Sequence, residues 1–126
     1  MEIPRIRPEQ VADRMRRGDR VVFLDSRSTT AYQAATEEIP GSLRVPPGDV
    51  DARVSDIPRG VTMVVTYCTE RAEHSSARVA LRLLELGMKR AFVLTGGLAA
   101  WEQAGFPVEP LVRGDPRENA VLHQPM

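Results

Sequence analysis

Val61-Thr62-Met63-Val64-Val65-Thr66-Tyr67-Cys68 is followed by Thr69-Glu70-Arg71-Ala72-Glu73-His74 and by Ser75-Ser76-Ala77-Arg78-Val79-Ala80-Leu81-Arg82-Leu83-Leu84. This stretch decides the reading of the chain. Its first part is a continuous β-branched and apolar run, which predicts a strand buried on both faces of a parallel sheet. Its last part sets Ala77, Ala80, Leu81 and Leu84 on one helical face and Arg78, Arg82 and Glu85 on the other. That pattern predicts an amphipathic helix laid on a sheet. Between them sits the only cysteine, where the strand ends and before the helix begins. Ligands of open α/β sheets bind at that edge.

The position makes Cys68 a candidate nucleophile. A thiol reacts as its thiolate, and a free cysteine has a pKa of about 8.5. A helix N-terminus offers unpaired backbone N–H groups and roughly half a positive charge. A loop curled over that end can point several amides at one spot and stabilise a thiolate, a persulfide anion or a bound oxyanion. The plainer alternative is a buried cysteine acting as a small hydrophobe.

Composition bounds the rest. The 126 residues suit one domain with a real core. Seventeen basic residues balance seventeen acidic ones, which removes the electrostatic case for nucleic acid or an anionic membrane. One cysteine excludes an internal disulfide, and with two histidines it offers no zinc-site spacing. The N-terminal residues lack the apolar run of a signal peptide, and no stretch is long enough to span a bilayer. The expected setting is therefore the reducing cytoplasm.

Strand and helix signals alternate along the chain. Pro4 to Arg7 is a short edge strand, and Pro8 opens a helix over Glu9 to Arg17 with Val11, Ala12 and Met15 inward. Val21 to Leu24 is a second buried strand ending at Asp25-Ser26-Arg27. Ser28 is the N-cap of a short helix to Ala35. Ile39 to Ser42 is a turn, Leu43 to Val45 a brief strand, and Asp49 to Val54 a helical turn or two. Gly87 ends the long helix, Ala91 to Leu94 is another strand, and Leu98 to Gln103 the last helix. This alternation predicts an α/β domain with a parallel sheet over residues 1–110. Residues 111–126 are read as an extended or partly disordered tail.

Four of these segments, in order, resemble the single-domain rhodaneses, the sulfurtransferase family, over about Ile6 to Pro107. Asp25-Ser26-Arg27 with Ala31-Tyr32 is similar to the family's Asp-x-Arg and small-aromatic pair. Ile39-Pro40-Gly41-Ser42 is similar to its His-Ile-Pro-Gly-Ala turn, Tyr67-Cys68 to its strand-end nucleophile, and Gly96-Gly97 with Trp101 to its Gly-Gly-x-x-x-Trp ending. The resemblance implies a rhodanese-like fold, five parallel strands flanked by helices on both faces. It implies that Cys68 cycles between thiol and persulfide, with no metal or organic cofactor.

The chain also departs from that family. Glu38 replaces the histidine before the turn, and the segment after Cys68 is a residue or two longer than in ordinary rhodaneses. It resembles a subgroup with a Cys-x-Cys-Pro-Asn-Glu-x-x-Ser-Ala-Arg loop, matched by Glu73, Ser76, Ala77 and Arg78. Glu70 stands at that subgroup's second cysteine, so no intramolecular resolving thiol is expected.

The candidate site is Cys68 as nucleophile, with Thr69, Glu70, Arg71, Ala72, Glu73, His74 and Ser75 as the cradle around substrate. Asp25 and Arg27 are read as structural support, because polar groups at that depth need partners. Trp101 is read as core. The expected reaction moves a sulfane sulfur from a thiosulfate or persulfide donor, small or protein-borne, to cyanide or a thiol. Glu70 and Glu73 offset Arg71, so the loop lacks the cationic rim that favours a dianion such as thiosulfate. Two rivals stay open: a phosphatase or arsenate reductase on the same fold, and a non-catalytic interaction module. The fold-sharing phosphatases place arginine six positions after the cysteine, where this chain has His74.

Overall fold

Strands and helices alternate from the N-terminus onward. The structure, a computed structural model, describes residues 2–69 and 74–112. The elements are β1 (Arg5–Ile6), α1 (Pro8–Arg16), β2 (Val21–Asp25), α2 (Thr29–Ala34), β3 (Glu37–Glu38), β4 (Leu43–Arg44) and α3 (Val50–Arg53) with a 3-10 turn over Val54–Asp56. They continue with β5 (Met63–Tyr67), α4 (His74–Glu85), β6 (Ala91–Leu94), α5 (Gly97–Gln103) and β7 (Glu109–Pro110). Five strands form one sheet in the order β1-β6-β5-β2-β4, and every pairing in it is parallel. The expected five-stranded α/β architecture is the observed one.

Strand periodicity divides the core. Phe23, Met63, Val65, Tyr67 and Leu94 face one side and pack with Val11, Leu98 and Trp101 from α1 and α5. Val22, Leu24, Val64 and Ala91 face the other and pack with Val50, Val79 and Leu83 from α3 and α4. Because both faces are covered, β2 and β5 read as unbroken apolar runs rather than alternating ones. Trp101 is core, as expected: its ring meets Phe23 edge-on at 5.2 Å and its Nε1 donates to the Pro107 carbonyl.

Topology then selects one edge of the sheet. From β2 the chain moves outward to β4, while from β5 it moves the opposite way to β6. Adjacent strands whose connections diverge leave a crevice beyond their carboxyl ends. The register sets Asp25 beside Tyr67, and the Ser26 amide donates to the Tyr67 carbonyl at 2.9 Å. The ends of β2 and β5, and with them Asp25-Ser26-Arg27 and Cys68, therefore lie together.

Three expectations change in detail. The buried line of α4 is Ser76, Val79, Ala80 and Leu83, while Ala77, Leu81 and Leu84 are half-buried beside it. Small Ser76 and Ala80 let the helix approach the sheet, and Leu84 packs at the flank. Met15 is 45% exposed rather than inward. Pro8 and Val11 are the buried residues of α1, and Met15 lies a turn beyond that contact. A second, two-stranded antiparallel sheet pairs β3 with β7, and the Leu111 amide donates to the Thr36 carbonyl. The chain thus stays docked through the first residue of the expected tail; 113–126 lie outside the described residues.

Leu83→Ala empties a fully buried position between α4 and the sheet and is expected to cost about 2–5 kcal/mol. Met15→Ala is expected to change stability by less than about 0.5 kcal/mol. Urea unfolding of the two variants side by side checks the contrast.

Candidate active site

Cys68 follows directly on the last residue of β5, at the sheet edge where the connections from β2 and β5 diverge. It is buried, 7% exposed. Five residues separate it from His74, which opens α4. The cysteine's own backbone is pinned from α5: the Leu98 amide donates to the Cys68 carbonyl (2.8 Å) and the Ala99 amide to the Thr69 carbonyl (3.0 Å). The glycine pair before that helix has a steric reason. Gly96 sits at φ +78°, and a Cβ there would lie 2.6 Å from the Ala100 Cβ. A side chain would meet both backbone strain and a clash at the turn that aims these amides.

On the α4 side of the sheet, alternation along β5 puts Thr66 and Cys68 on the same face. The Thr66 hydroxyl donates to the Ser76 carbonyl at 2.9 Å, and the Ser76 hydroxyl donates to Cys68 Sγ at 3.4 Å. Ser76 is fully buried. The sequence carries the signal for it: Ser76, Val79, Ala80 and Leu83 follow the i, i+3, i+4, i+7 spacing of a buried face, so a hydroxyl there needs a partner.

At the end of β2, Asp25 and Arg27 form a buried bidentate pair, Nε to Oδ1 at 2.9 Å and Nη2 to Oδ2 at 2.6 Å. Their side chains are 1% and 2% exposed. Burial by itself would lower the pKa of Arg27, but the hydrogen bond and charge of Asp25 outweigh it and hold the guanidinium above its ordinary range. Nη2 also donates to the Glu37 carbonyl, tying β2 to β3. Each of the two thus has the partner that a polar group at that depth requires.

Two polar anchors were not among the expected site residues. The Tyr67 phenol receives the Ile39 amide at 3.2 Å and shares a 2.8 Å hydrogen bond with Ser42. Burial, reinforced by the charge of Asp25, pushes that phenol above the usual tyrosine range, so it stays neutral. A tyrosine on the inward parity of Met63 and Val65 signals such a partner, since a buried phenol needs one. Arg44 Nη1 donates to the Asp25 and Arg27 carbonyls, and its guanidinium stacks on Tyr32 at 4.1 Å. Nothing in the local pattern of Leu43-Arg44-Val45 marks that arginine as inward.

The remaining expected cradle residues divide. Thr69 and His74 are exposed and Ser75 is half-buried. Glu70, Arg71, Ala72 and Glu73 lie outside the described residues. Glu38, which stands in place of the family's histidine, is buried in β3. It helps line a cavity of about 210 Å³ beside β4, together with Tyr32, Ser42, Arg44, Arg53 and Asp56. Cys68 does not line that cavity. Among the described residues no cluster of three His, Cys, Asp or Glu side chains is placed to hold a metal ion, and no helix is long and apolar enough to cross a membrane.

The model of the rhodanese-like domain matches residues 7–104. The chain belongs to the rhodanese-like domain family. A sulfurtransferase from Allochromatium vinosum is 30% identical over 100 residues, covering 79% of this chain and 89% of that protein. Among solved structures, a thiosulfate sulfurtransferase from Pseudomonas aeruginosa superposes with a TM-score of 0.68 at 28% identity, over 85% of this chain and 20% of that one. A full-length protein from Lactobacillus plantarum superposes with a TM-score of 0.70 at 27% identity, over 85% and 88% of the two chains. The rhodanese-like segment contains the carboxyl ends of β2 and β5, Cys68 and the Gly96-Gly97 turn.

Arg27→Met strands the Asp25 carboxylate in the interior and is expected to cost about 3–5 kcal/mol, toward the lower end because Arg44 lies 3.7 Å from the same carboxylate. Asp25→Asn combined with Arg27→Met is expected to cost less than Arg27→Met alone. Urea midpoints of the single and double variants measure the difference.

Proposed function

We propose that this rhodanese-like domain is a sulfurtransferase in which Cys68 carries the sulfur. The observation that carries the reading is the placement of Cys68: a lone thiol at the carboxyl end of β5, where the connections from β2 and β5 diverge, accepting a hydrogen bond from the Ser76 hydroxyl. The likeness to the Allochromatium vinosum sulfurtransferase and to the Pseudomonas aeruginosa thiosulfate sulfurtransferase supports the reaction class.

Transfer proceeds by two displacements at sulfur. The Cys68 thiolate attacks the outer sulfur of the donor; an S–S bond to Sγ forms, the donor's bond to that sulfur breaks, and sulfite or a thiolate departs with the electron pair. Cyanide or an acceptor thiolate then attacks the outer sulfur of the Cys68 persulfide, and the Sγ–S pair returns to Sγ. Neither step needs an external oxidant or reductant, a metal or an organic cofactor. The proposed setting is the cytoplasm, with a small-molecule or protein persulfide as partner.

Donor preference follows from charge. Glu70 and Glu73 offset Arg71 in the segment after Cys68, so thiosulfate, a dianion, gains little there and a persulfide is favoured. The phosphatase alternative has no guanidinium six positions after the nucleophile, where His74 begins α4, and so lacks the bidentate partner for a phosphoryl oxyanion.

Thiocyanate formation from cyanide tests the proposal. Wild type is expected to turn over with a glutathione persulfide donor at least about tenfold faster, by kcat/KM, than with thiosulfate, and Cys68→Ser to lose both activities. Equal use of the two donors would contradict the charge argument; activity retained by Cys68→Ser would remove the sulfur-carrier reading.

A further inference from the structure

We infer that the Ser76 hydroxyl is a catalytic hydrogen-bond donor to the reacting sulfur, and that it acts chiefly when the persulfide is discharged. The inference rests on the sulfur-carrier reading of Cys68. Ser76 Oγ donates to Cys68 Sγ at 3.4 Å from a fully buried position in the first turn of α4. The donor is held in place. Thr66, also fully buried and two residues before the cysteine, donates to the Ser76 carbonyl. Strand and helix are therefore joined at the residue that addresses the sulfur, and the hydroxyl needs no rearrangement as charge develops.

Charge on Sγ alternates during transfer. In the persulfide the negative charge sits on the outer sulfur and Sγ is nearly neutral. In discharge the acceptor's electron pair makes the new bond to the outer sulfur, the Sγ–S bond breaks, and its pair collects on Sγ as a thiolate. A donor fixed on Sγ stabilises that leaving group. Loading is affected less, because a stabilised thiolate is more abundant but also less nucleophilic, and the two effects oppose each other.

The other titratable or charged groups near this end of the described structure include the Asp25–Arg27 pair, Arg44, Tyr32 and Tyr67, with His74 and Arg78 at the start of α4. The first turn of α5 and the end of β6 contribute none. Glu70, Arg71 and Glu73 lie outside the described residues. All of them are retained in a Ser76 substitution.

The test is single-turnover loading of Cys68 from a persulfide donor and discharge of the preloaded persulfide to cyanide, both followed by intact mass. Ser76→Ala is expected to slow discharge about tenfold, the equivalent of one charge-assisted hydrogen bond, and to change loading by less than about threefold. Ser76→Thr is expected to restore discharge. Thr66→Val, which removes the strand-to-helix tie but keeps the donor, is expected to slow discharge far less. Unchanged discharge in Ser76→Ala, or equal slowing in Thr66→Val, overturns the inference. Should Ser76→Ala not fold, the isosteric pair Ser76→Thr and Ser76→Val gives the same contrast with the shape cost cancelled; equal discharge rates in that pair overturn it. Wild-type Cys68 that never takes up sulfur brings down the carrier reading itself. Sulfur that loads and discharges without regard to Ser76 brings down only this inference.

Discussion

The parallel pairing of β2 with β5 is the constraint from which the rest of the site follows. Five register pairs run from Val21 opposite Met63 to Asp25 opposite Tyr67. A one-residue slip would reverse every side chain of β5, exchanging the Val65 and Tyr67 face for the Val64 and Thr66 face. Both faces are packed, so neither exchange is tolerated cheaply. The register therefore fixes where Cys68 emerges and on which side of the sheet it lies.

That side is the one covered by α4, and this matters for the electrostatics. The opposite strand end holds a full charge pair, yet Asp25 and Arg27 neutralise one another through two hydrogen bonds and are nearly sealed from solvent. Arg44 closes the same corner by donating to two backbone carbonyls. The Asp25–Arg27 pair is thus neutralised internally and tied to the backbone around it. Cys68 is instead approached by a neutral hydroxyl donor. On the proposed sulfur-carrier reading, a neutral donor suits an atom whose charge appears and disappears during each cycle.

Most of the fold was legible because parallel strands covered on both faces announce themselves as apolar runs. The runs Val21 to Leu24, Val61 to Cys68 and Ala91 to Leu94 hold β2, β5 and β6, with β5 confined to Met63–Tyr67 and β2 extended to Asp25. Cys68 and the Asp25–Arg27 pair were legible for a related reason: polar or reactive residues stood out at the ends of those runs. Other features gave weaker signals. The β3–β7 ladder joins two residues to two others about seventy positions away, too short for any period to register. The buried line of α4 is centred slightly to one side of the expected face, on Ser76, Val79, Ala80 and Leu83: Ala77, Leu81 and Leu84 look more apolar than Ser76, but close approach to a sheet favours the smaller side chain. Arg44 could not be read as inward, since its partners are carbonyls of β2 and the segment beyond it, and its stacking surface, Tyr32, belongs to α2.

The most direct measurement is the intact mass of the protein after brief exposure to a persulfide donor and removal of excess reagent, repeated after addition of cyanide. One added sulfur that maps to the Cys68 peptide and vanishes as thiocyanate forms is the expected result. No added sulfur, or an added sulfur equally present in Cys68→Ser, would contradict the account.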